Sequence, residues 1–122
     1  TRDSLTGLLN HTTIKERLEQ EVSRALREKQ PLAMAMLDID FFKKINDIHG
    51  HPIGDRVIKS LTRLLQQRLR QSDLIGRYGG EEFALILPGA TQSEAFQVLE
   101  QMRDGFSRLR HGTPGHEFNV TF

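Results

Sequence analysis

Tyr78-Gly79-Gly80-Glu81-Glu82-Phe83 is a stretch in which two adjacent carboxylates follow two glycines. The apolar runs on either side, residues 74–78 and 83–87, have the composition of β-strands, and paired glycines between such runs predict a hairpin. The two glutamates are therefore expected at the hairpin tip. This tip is either a solvated turn or a site where glycines let an anionic ligand approach while the acids hold a divalent cation.

A second acidic element follows the apolar run of residues 32–37. The composition of this run predicts a buried central strand. Ligands of open α/β sheets bind where the strands end, so Asp38, directly after the run, is a candidate site residue. Asp40 is expected instead to cap a helical turn that begins at Phe41.

Asp38 and the two adjacent glutamates would together form an oxygen-rich site suited to Mg²⁺ and a nucleotide phosphate. Lys43 could place a point charge on a phosphate, although a solvated surface lysine is the alternative. The backbone N–H groups of the turn at Phe41 and Phe42 could bind a terminal phosphate as helix N-termini do.

Four motifs, in order, resemble the GGDEF family of bacterial diguanylate cyclases. They are DSLTGLLN at residues 3–10, DIDFFKKIND at 38–47, GHPIGD at 50–55 and RYGGEEF at 77–83. Because the resemblance spans nearly the whole chain, we expect residues 1–122 to form a single GGDEF-type catalytic domain. The family implies the palm-like fold of nucleotidyl cyclases and the condensation of two GTP into cyclic di-GMP plus two pyrophosphates.

The resemblance implies a role for each acid. Asp38 and Glu81 would be ligands of Mg²⁺ or Mn²⁺, two ions per GTP, with the Ile39 carbonyl assisting. Glu82 would lie beside the metals as a catalytic carboxylate, so that catalysis is assigned to Asp38, Glu81 and Glu82. The reaction would be a two-metal phosphoryl transfer.

The resemblance also implies substrate-binding residues. Asn46 and Asp55 would read guanine, which suits an amide with donor and acceptor and a carboxylate that accepts from two N–H groups. Lys43 would hold phosphate. The alternative is that Asp55 has no role in binding and lies in the first turn of the next helix, where the helix macrodipole stabilises its negative charge.

A product-binding site is expected at Arg70 and Asp73, which have the spacing of the family's RxxD inhibitory site. Arg70 would grip a phosphate or guanine, and Asp73 would accept from guanine N–H groups. Gln101 stands where the family often has a second arginine, with Arg103 as a possible substitute. The alternative is that Arg70 ends a helix and Asp73 opens a strand.

The expected assembly is a homodimer. One domain binds one GTP, and closing the two-fold symmetric ring of cyclic di-GMP requires each GTP to attack the other, so two domains must face each other. Three other functions stay open: a non-catalytic receptor for GTP or cyclic di-GMP, a dimerisation module, and a cyclase acting on ATP. The intact glutamate pair disfavours the receptor.

The chain departs from the family at two places. His11 stands where the family's opening motif usually has arginine, which puts any salt bridge of that arginine in doubt. Residues 119–122 are expected to begin a strand that the family continues, so the C-terminal part of the domain is expected to be missing. That part carries basic residues that contact GTP phosphates in the family, and the activity of this piece alone is therefore in question.

Composition agrees with one domain, since 122 residues with 37% hydrophobic content can bury one core. The chain has 17 Lys and Arg residues and 16 Asp and Glu residues, so its net positive charge is too small to attract nucleic acid as a partner. The absence of cysteine excludes disulfides and thiolate metal sites and fits a cytoplasmic location. No apolar run predicts membrane contact by this domain, although a parent protein could carry an anchor.

Three amphipathic helices are predicted, and each apolar stripe is expected to pack into the core. Asn10 or Thr12 would cap the first helix. The stripes are Ile14, Leu18, Val22, Ala25 and Leu26; Val57, Ile58, Leu61, Leu64, Leu65 and Leu69; and Ala95, Leu99, Met102, Phe106 and Leu109. The order helix, strand, short helix, long helix, hairpin, helix, strand predicts an α/β fold in which helices flank a mixed central sheet.

Overall fold

The computed structural model describes residues 1–122 and contains four helices and five strands. They are α1 (His11–Glu28), β1 (Leu32–Asp38), α2 (Phe42–His49), α3 (His51–Arg68), β2 (Leu74–Arg77), β3 (Glu82–Pro88), α4 (Gln92–Ser107), β4 (His111–Thr113) and β5 (His116–Phe118). This order confirms the predicted α/β class. The glycine–glutamate motif lies at the tip of the β2–β3 hairpin, as predicted.

The main sheet has three strands in the order β1-β3-β2, and both strand pairs are antiparallel. A parallel bridge between Leu9 and Gly76 lies outside the named strands, so the sheet that these strands form is antiparallel and not mixed as predicted. The prediction that residues 32–37 form the central strand was wrong, because β3 is central and β1 lies at an edge. Met34 and Met36 of β1 are accordingly exposed, whereas residues 83–87 of β3 are all buried.

Helices cover both faces of this sheet. The larger core joins one face to α3 and α4 and includes Leu37, Phe83, Leu85, Leu61 and Phe106. The smaller core joins the other face to α1 through Ile14, which packs with Leu9, Ala84 and Ile86. At about 1.5 to 3 kcal/mol per buried large apolar side chain, these two cores fix the hairpin against β1.

Local capping explains where the helices begin. Asn10, rather than Thr12, caps α1, since its Oδ1 accepts a hydrogen bond of 2.9 Å from the Thr13 N–H. Thr91 caps α4 in a capping box with Glu94. None of the four helices combines the length and the apolar character needed to cross a membrane.

The prediction that every helical stripe packs into the core was wrong for the second half of α1. Ile14 is buried, but Val22 and Leu26 are 42% and 75% exposed. The reason is length: an 18-residue helix extends about 27 Å, whereas the four-residue strand β2 on which it packs extends about 14 Å. Leu109 is also exposed, because it lies beyond the end of α4.

The C-terminal segment differs from the prediction as well. β4 and β5 form a separate antiparallel hairpin that the apolar pattern did not indicate. Residues 119–122, which were expected to be a strand, belong to no strand. They contact the end of β1 through a 3.0 Å hydrogen bond from the Asp40 N–H to the Thr121 carbonyl.

Candidate active site at the hairpin tip

The acids of two strands meet at one end of the main sheet. Asp38 and Glu82 are paired residues in the antiparallel register of β1 and β3. The Ile39 N–H donates a 3.2 Å hydrogen bond to the Glu81 carbonyl, so the pairing continues one step beyond the strands. Directly opposed residues have Cβ atoms about 4.5–5.5 Å apart. The sheet thus brings Asp38 close to the glutamate pair, although Asp38 and Glu81 are 43 positions apart in the sequence.

Gly79 leaves space at this tip that the Glu82 carboxylate occupies. A Cβ atom on Gly79 would overlap the carboxylate of Glu82, whereas one on Gly80 would meet open space. Neither glycine has a left-handed backbone conformation. Gly79 therefore leaves room for the Glu82 side chain to lie over the turn, and the turn itself does not depend on positive φ.

Arg77 fixes the loop that carries the glutamates. Its Nη2 and Nε donate to the Gly80 carbonyl at 2.7 and 3.2 Å, and its Nη1 lies 3.2 Å from both carboxylate oxygens of Asp3. The Tyr78 N–H closes the turn with a 2.8 Å bond to the Glu82 carbonyl. One guanidinium thus ties the tip to the N-terminal segment, a contact that the sequence analysis missed.

Asp3 is itself held in a compact turn. Its Oδ2 accepts from the Thr6 N–H at 2.9 Å and from the Thr6 hydroxyl at 2.7 Å. Partial burial alone would raise the pKa of Asp3, but the hydrogen bonds from Thr6 and Arg77 outweigh it and lower the pKa. Asp3 is therefore stabilised as the anion that Arg77 needs.

His11 contacts the same loop from the start of α1. Its Nδ1 lies 2.8 Å from the Tyr78 carbonyl oxygen, and the two rings are 4.0 Å apart between centroids. His11 forms no salt bridge here, in line with the doubt raised by the histidine at this position. Its contribution to the tip is a hydrogen bond and ring packing.

The acids at the tip are free of cationic partners. Asp38, Glu81 and Glu82 take part in none of the ion pairs of the protein. No three acidic or histidine side chains converge closely enough to enclose a metal by themselves. Two strands that supply carboxylates and a backbone carbonyl nevertheless fit Mg²⁺, which binds few carboxylates and completes its shell with water and substrate phosphates.

The start of α2 lies directly after Asp38. Phe41 precedes the helix with a left-handed backbone, φ 57°, and is 81% exposed. The expectation that Asp40 caps this helix was wrong, because Phe41 occupies the cap position and no side chain caps it. The first α-helical bond runs from the Ile45 N–H to the Phe41 carbonyl. The amides of residues 41–44, unlike that of Asp40, make no hydrogen bond outside the helix and remain open to an anion, with the exposed Lys43 beside them.

Asn46 is the most unusual polar residue near the site. Its Oδ1 is buried and has no hydrogen-bond partner. A Cβ atom on Gly54 would overlap that oxygen, so α3 approaches α2 closely at this point. Buried polar atoms are normally paired, so this unsatisfied oxygen sets Asn46 apart from the other polar residues near the tip.

Asp55 follows Gly54 and is exposed. The alternative that placed it in the first turn of its helix was wrong, since α3 begins at His51 and has no acid in its first turn. The two predicted guanine-reading residues thus lie on facing helices, on either side of the Gly54 contact.

Arg70 and Asp73 lie at the opposite end of the main sheet. Arg70 is not a helix terminus, because α3 ends at Arg68. Its Nη2 lies 2.9 Å from both Asp73 Oδ1 and the Pro88 carbonyl, and the Arg70 N–H donates to Asp73 Oδ2 at 2.8 Å. The hydrogen bond and the charge of Asp73 raise the pKa of Arg70. The side chain of Asp73 is only 3% exposed, so this pair is preformed.

Gln101 and Arg103 do not complete this pair. Gln101 is exposed on α4. Arg103 is bound to Glu100 at 2.7 Å and lines neither of the two cavities that Arg70 lines. The substitute role considered for Arg103 thus has no geometric support.

Comparison with known proteins identifies the fold and the motifs. Residues 1–122 match the family model described as "Diguanylate cyclase, GGDEF domain". The chain is 44% identical over 119 residues to diguanylate cyclase DgcP of Pseudomonas aeruginosa, which covers 98% of this chain and 18% of DgcP. It also resembles the crystal structure of diguanylate cyclase SiaD in complex with its activator SiaC from P. aeruginosa, with a TM-score of 0.92 and 45% identity.

A second solved structure is similar in fold. The GGDEF domain of DgcB from Caulobacter crescentus, in complex with c-di-GMP, matches with a TM-score of 0.94 and 31% identity over 99% of this chain and 72% of that chain. The match to SiaD covers 98% of this chain and 46% of that chain. The chain therefore spans less than half the length of DgcP and of SiaD.

Proposed function

This chain belongs to the GGDEF family of diguanylate cyclases, and from that premise we propose that it condenses two GTP molecules into cyclic di-GMP. In each of two steps, the 3′-oxygen of one GTP forms a bond to the α-phosphorus of the other and pyrophosphate leaves. The observation that carries this proposal is the register pairing of Asp38 with Glu82, which gathers unpaired acids at one sheet end.

Asp38, Glu81 and the Ile39 carbonyl are the groups that we assign to divalent cations, Mg²⁺ or Mn²⁺, two per GTP. When bound, such cations neutralise phosphate charge and lower the pKa of the attacking 3′-hydroxyl. Glu82 is assigned to catalysis because it stands opposite Asp38, has no cationic partner, and has its carboxylate over the space that Gly79 leaves open.

Selectivity for guanine is assigned to Asn46 and Asp55. The Asn46 amide offers both a donor and an acceptor, and its buried oxygen has no partner in the protein, so a side-chain rotation that exposes it would cost no hydrogen bond. The exposed Asp55 carboxylate can accept from the guanine N1–H and N2–H groups. The terminal phosphates would lie at the open turn of Phe41 and Phe42, with Lys43 as a point charge. Adenine lacks these two donors, which is why GTP rather than ATP is the proposed substrate.

We propose a homodimer as the active form, with one GTP on each domain and the two tips facing each other. The chemistry supports this assembly, since two attacks of opposite sense need two equivalent sites. Specific activity should then rise with protein concentration until the dimer saturates. A rate per molecule that stays constant far below the dimer dissociation constant would contradict the face-to-face arrangement.

Arg70 and Asp73 are proposed as a product-binding site. The DgcB structure contains c-di-GMP, and Arg70 lines two cavities on the surface here. Because the Arg70 guanidinium already binds Asp73, a phosphate or guanine edge of the product would have to bind Arg70 while the contact with Asp73 persists. Gln101 offers no charge, so the site would depend on Arg70 more than a two-arginine site does.

The test is incubation of the full-length protein with GTP and Mg²⁺, followed by separation of the nucleotide products by mass. The proposal predicts cyclic di-GMP and pyrophosphate in a 1:2 ratio and no cyclic product from ATP. Binding of GTP without any product, in a protein whose fold is intact, would instead support a nucleotide receptor.

A further inference from the structure

A cationic cleft lies between α3 and β4, apart from every residue assigned above. We define the cationic cleft by Arg56, Lys59, Ser60 and Arg63 of α3, with Arg110, His111 and Gly112 on the facing wall. Its volume is about 210 Å³, and no apolar side chain lines it. We propose that the cationic cleft binds a phosphate group of an anionic ligand.

The helix wall of the cleft places like charges together. Arg56, Lys59 and Arg63 are spaced i, i+3 and i+7 and therefore share one face of α3. None of the three forms an ion pair. Cations at such spacings repel each other and destabilise a helix, so a bound anion would relieve the repulsion. The net charge of only +1 means that this cluster does not follow from a generally basic chain.

The opposite wall contributes the cationic side chain of Arg110 and the partly exposed backbone of Gly112. Arg110 is bound only loosely, with Nη1 3.9 Å from a carboxylate oxygen of Glu117. Gly112 has a left-handed φ of 99°, and a Cβ there would overlap the His116 carbonyl of β5, so this position of the wall requires glycine and carries only backbone. The hairpin of β4 and β5 thus leaves the cleft open.

His111 completes the wall without adding charge. The residue is 8% exposed, and its Nε2 is buried without a hydrogen-bond partner. Burial lowers the pKa of His111, which disfavours the charged form of the ring. Among the lining residues there is therefore one unpaired polar atom, in addition to four cations.

The chemistry of the lining favours phosphate over other anions. Three of the four cations are arginines, whose planar guanidinium binds phosphate oxygens in pairs. A protein segment would need an apolar anchor, and the lining offers none. The volume is below the roughly 300–1,000 Å³ of sites for drug-sized ligands and suits one or two phosphate groups.

The test uses inorganic pyrophosphate as the probe, titrated calorimetrically into the full-length protein without divalent cations. Omitting the metal removes the contribution of divalent cations at the proposed cyclase site, and the cleft variants separate the cleft from the phosphate-binding turn at Phe41 and Phe42. We expect one pyrophosphate per chain and binding that is at least about tenfold weaker in the double variant Lys59→Gln/Arg63→Gln, equivalent to about 1.4 kcal/mol. Arg110→Gln, on the other wall, should also weaken binding.

The matched control is Lys15→Gln/Arg27→Gln, which removes the same charge from exposed positions of α1. Its affinity should stay within about twofold of the wild type. A second arm measures sedimentation with phosphatidylcholine vesicles with and without phosphatidylserine, which separates a lipid headgroup from a free phosphate. Failure of the wild type to bind either probe, or equal weakening in both double variants, would overturn the proposal.

Discussion

The two ends of the main sheet differ in how their charges are satisfied. At the hairpin tip, Asp38 and Glu82 face each other across β1 and β3 without a cation. At the far end, Arg70 binds both Asp73 and the Pro88 carbonyl. The carboxylates at the tip are therefore still free to bind cations. At the far end, most hydrogen-bonding groups of Arg70 and Asp73 are already bound within the protein.

This difference also appears in what holds each end in place. Like charges at the tip repel each other, so the loop must be fixed by other groups, and Arg77 does this through Gly80 and Asp3. The far end is fixed by the same residues that would bind a ligand. A substitution at the tip should thus affect activity more than stability, and one at the far end should affect both.

The largest effect is expected from Glu82→Gln, which removes a negative charge at the tip with little change in volume. We expect the cyclase rate to fall by about 100-fold or more while the thermal unfolding curve stays unchanged. Steady-state kinetics on the full-length protein measures this. Glu117→Gln, at an exposed acid of β5, is the control and should retain wild-type turnover. Normal turnover in Glu82→Gln would remove the catalytic assignment.

Arg70→Ala addresses the far end. We expect the affinity for cyclic di-GMP to fall by about 1.5 to 3 kcal/mol, the usual range for hydrogen bonds to a charged group. The fold should also lose stability, because the nearly buried Asp73 carboxylate loses its partner. Calorimetry and denaturant unfolding measure the two effects, with Arg108→Ala as an exposed, ion-paired control. Unchanged affinity would leave Arg70 as a purely structural loop contact.

Gly54→Ala tests whether Asn46 contributes to GTP binding, because the added methyl group overlaps the Asn46 amide. Overpacking should cost about 1 to 3 kcal/mol of unfolding free energy, and displaced Asn46 should weaken GTP binding. The control is Gly105→Ala in α4, where the new Cβ would be 3.5 Å from Leu64, an ordinary contact. That variant should gain about 0.5 to 1 kcal/mol. Equal stability changes in both variants would show that the Gly54 contact is not tight.

The smallest expected effect concerns pH and the contact between Asp3 and Arg77. The folded pKa of Asp3 is lower than the ordinary value of 3.8, so the carboxylate stabilises the fold fully above that value. This contribution, about 1 kcal/mol, is lost as pH falls through the lower folded pKa. Denaturant unfolding of wild type and Asp3→Asn should therefore differ at pH 6 and converge at strongly acidic pH. Asp104→Asn, at an exposed ion pair, should show little difference at either pH.

Much of this arrangement could be predicted from the sequence, because local chemistry dictates it. The glycine pair between apolar runs indicated the hairpin, and the regular stripe of α3 indicated a buried helix. The edge position of β1 could not be predicted, since a run rich in methionine and alanine is apolar whether or not a neighbour covers it. Exposure of Leu26 depended on the length of α1 relative to β2, which is a tertiary property.

The contacts around the candidate site were predicted least well. The motif residues Asp3 and Arg77 were quoted as parts of a family pattern, but nothing local indicated that they bind each other across 74 positions. The approach of Gly54 to Asn46 depends on the packing of α2 against α3. The short hairpin of β4 and β5 has little apolar pattern, so only its Pro-Gly turn at residues 114–115 signalled it.

The central claim is that the tip, and not the far end, binds the metal and GTP. Mn²⁺ added with a non-hydrolysable GTP analogue should broaden the amide NMR signals of residues 38–43 and 78–83, since a paramagnetic ion acts only on nearby nuclei. Signals of residues 70–74, about 14 Å farther along the sheet, should broaden less than those of residues 38–43 and 78–83. Broadening confined to residues 70–74, or none at residues 38–43 and 78–83 with nucleotide bound, would contradict the account.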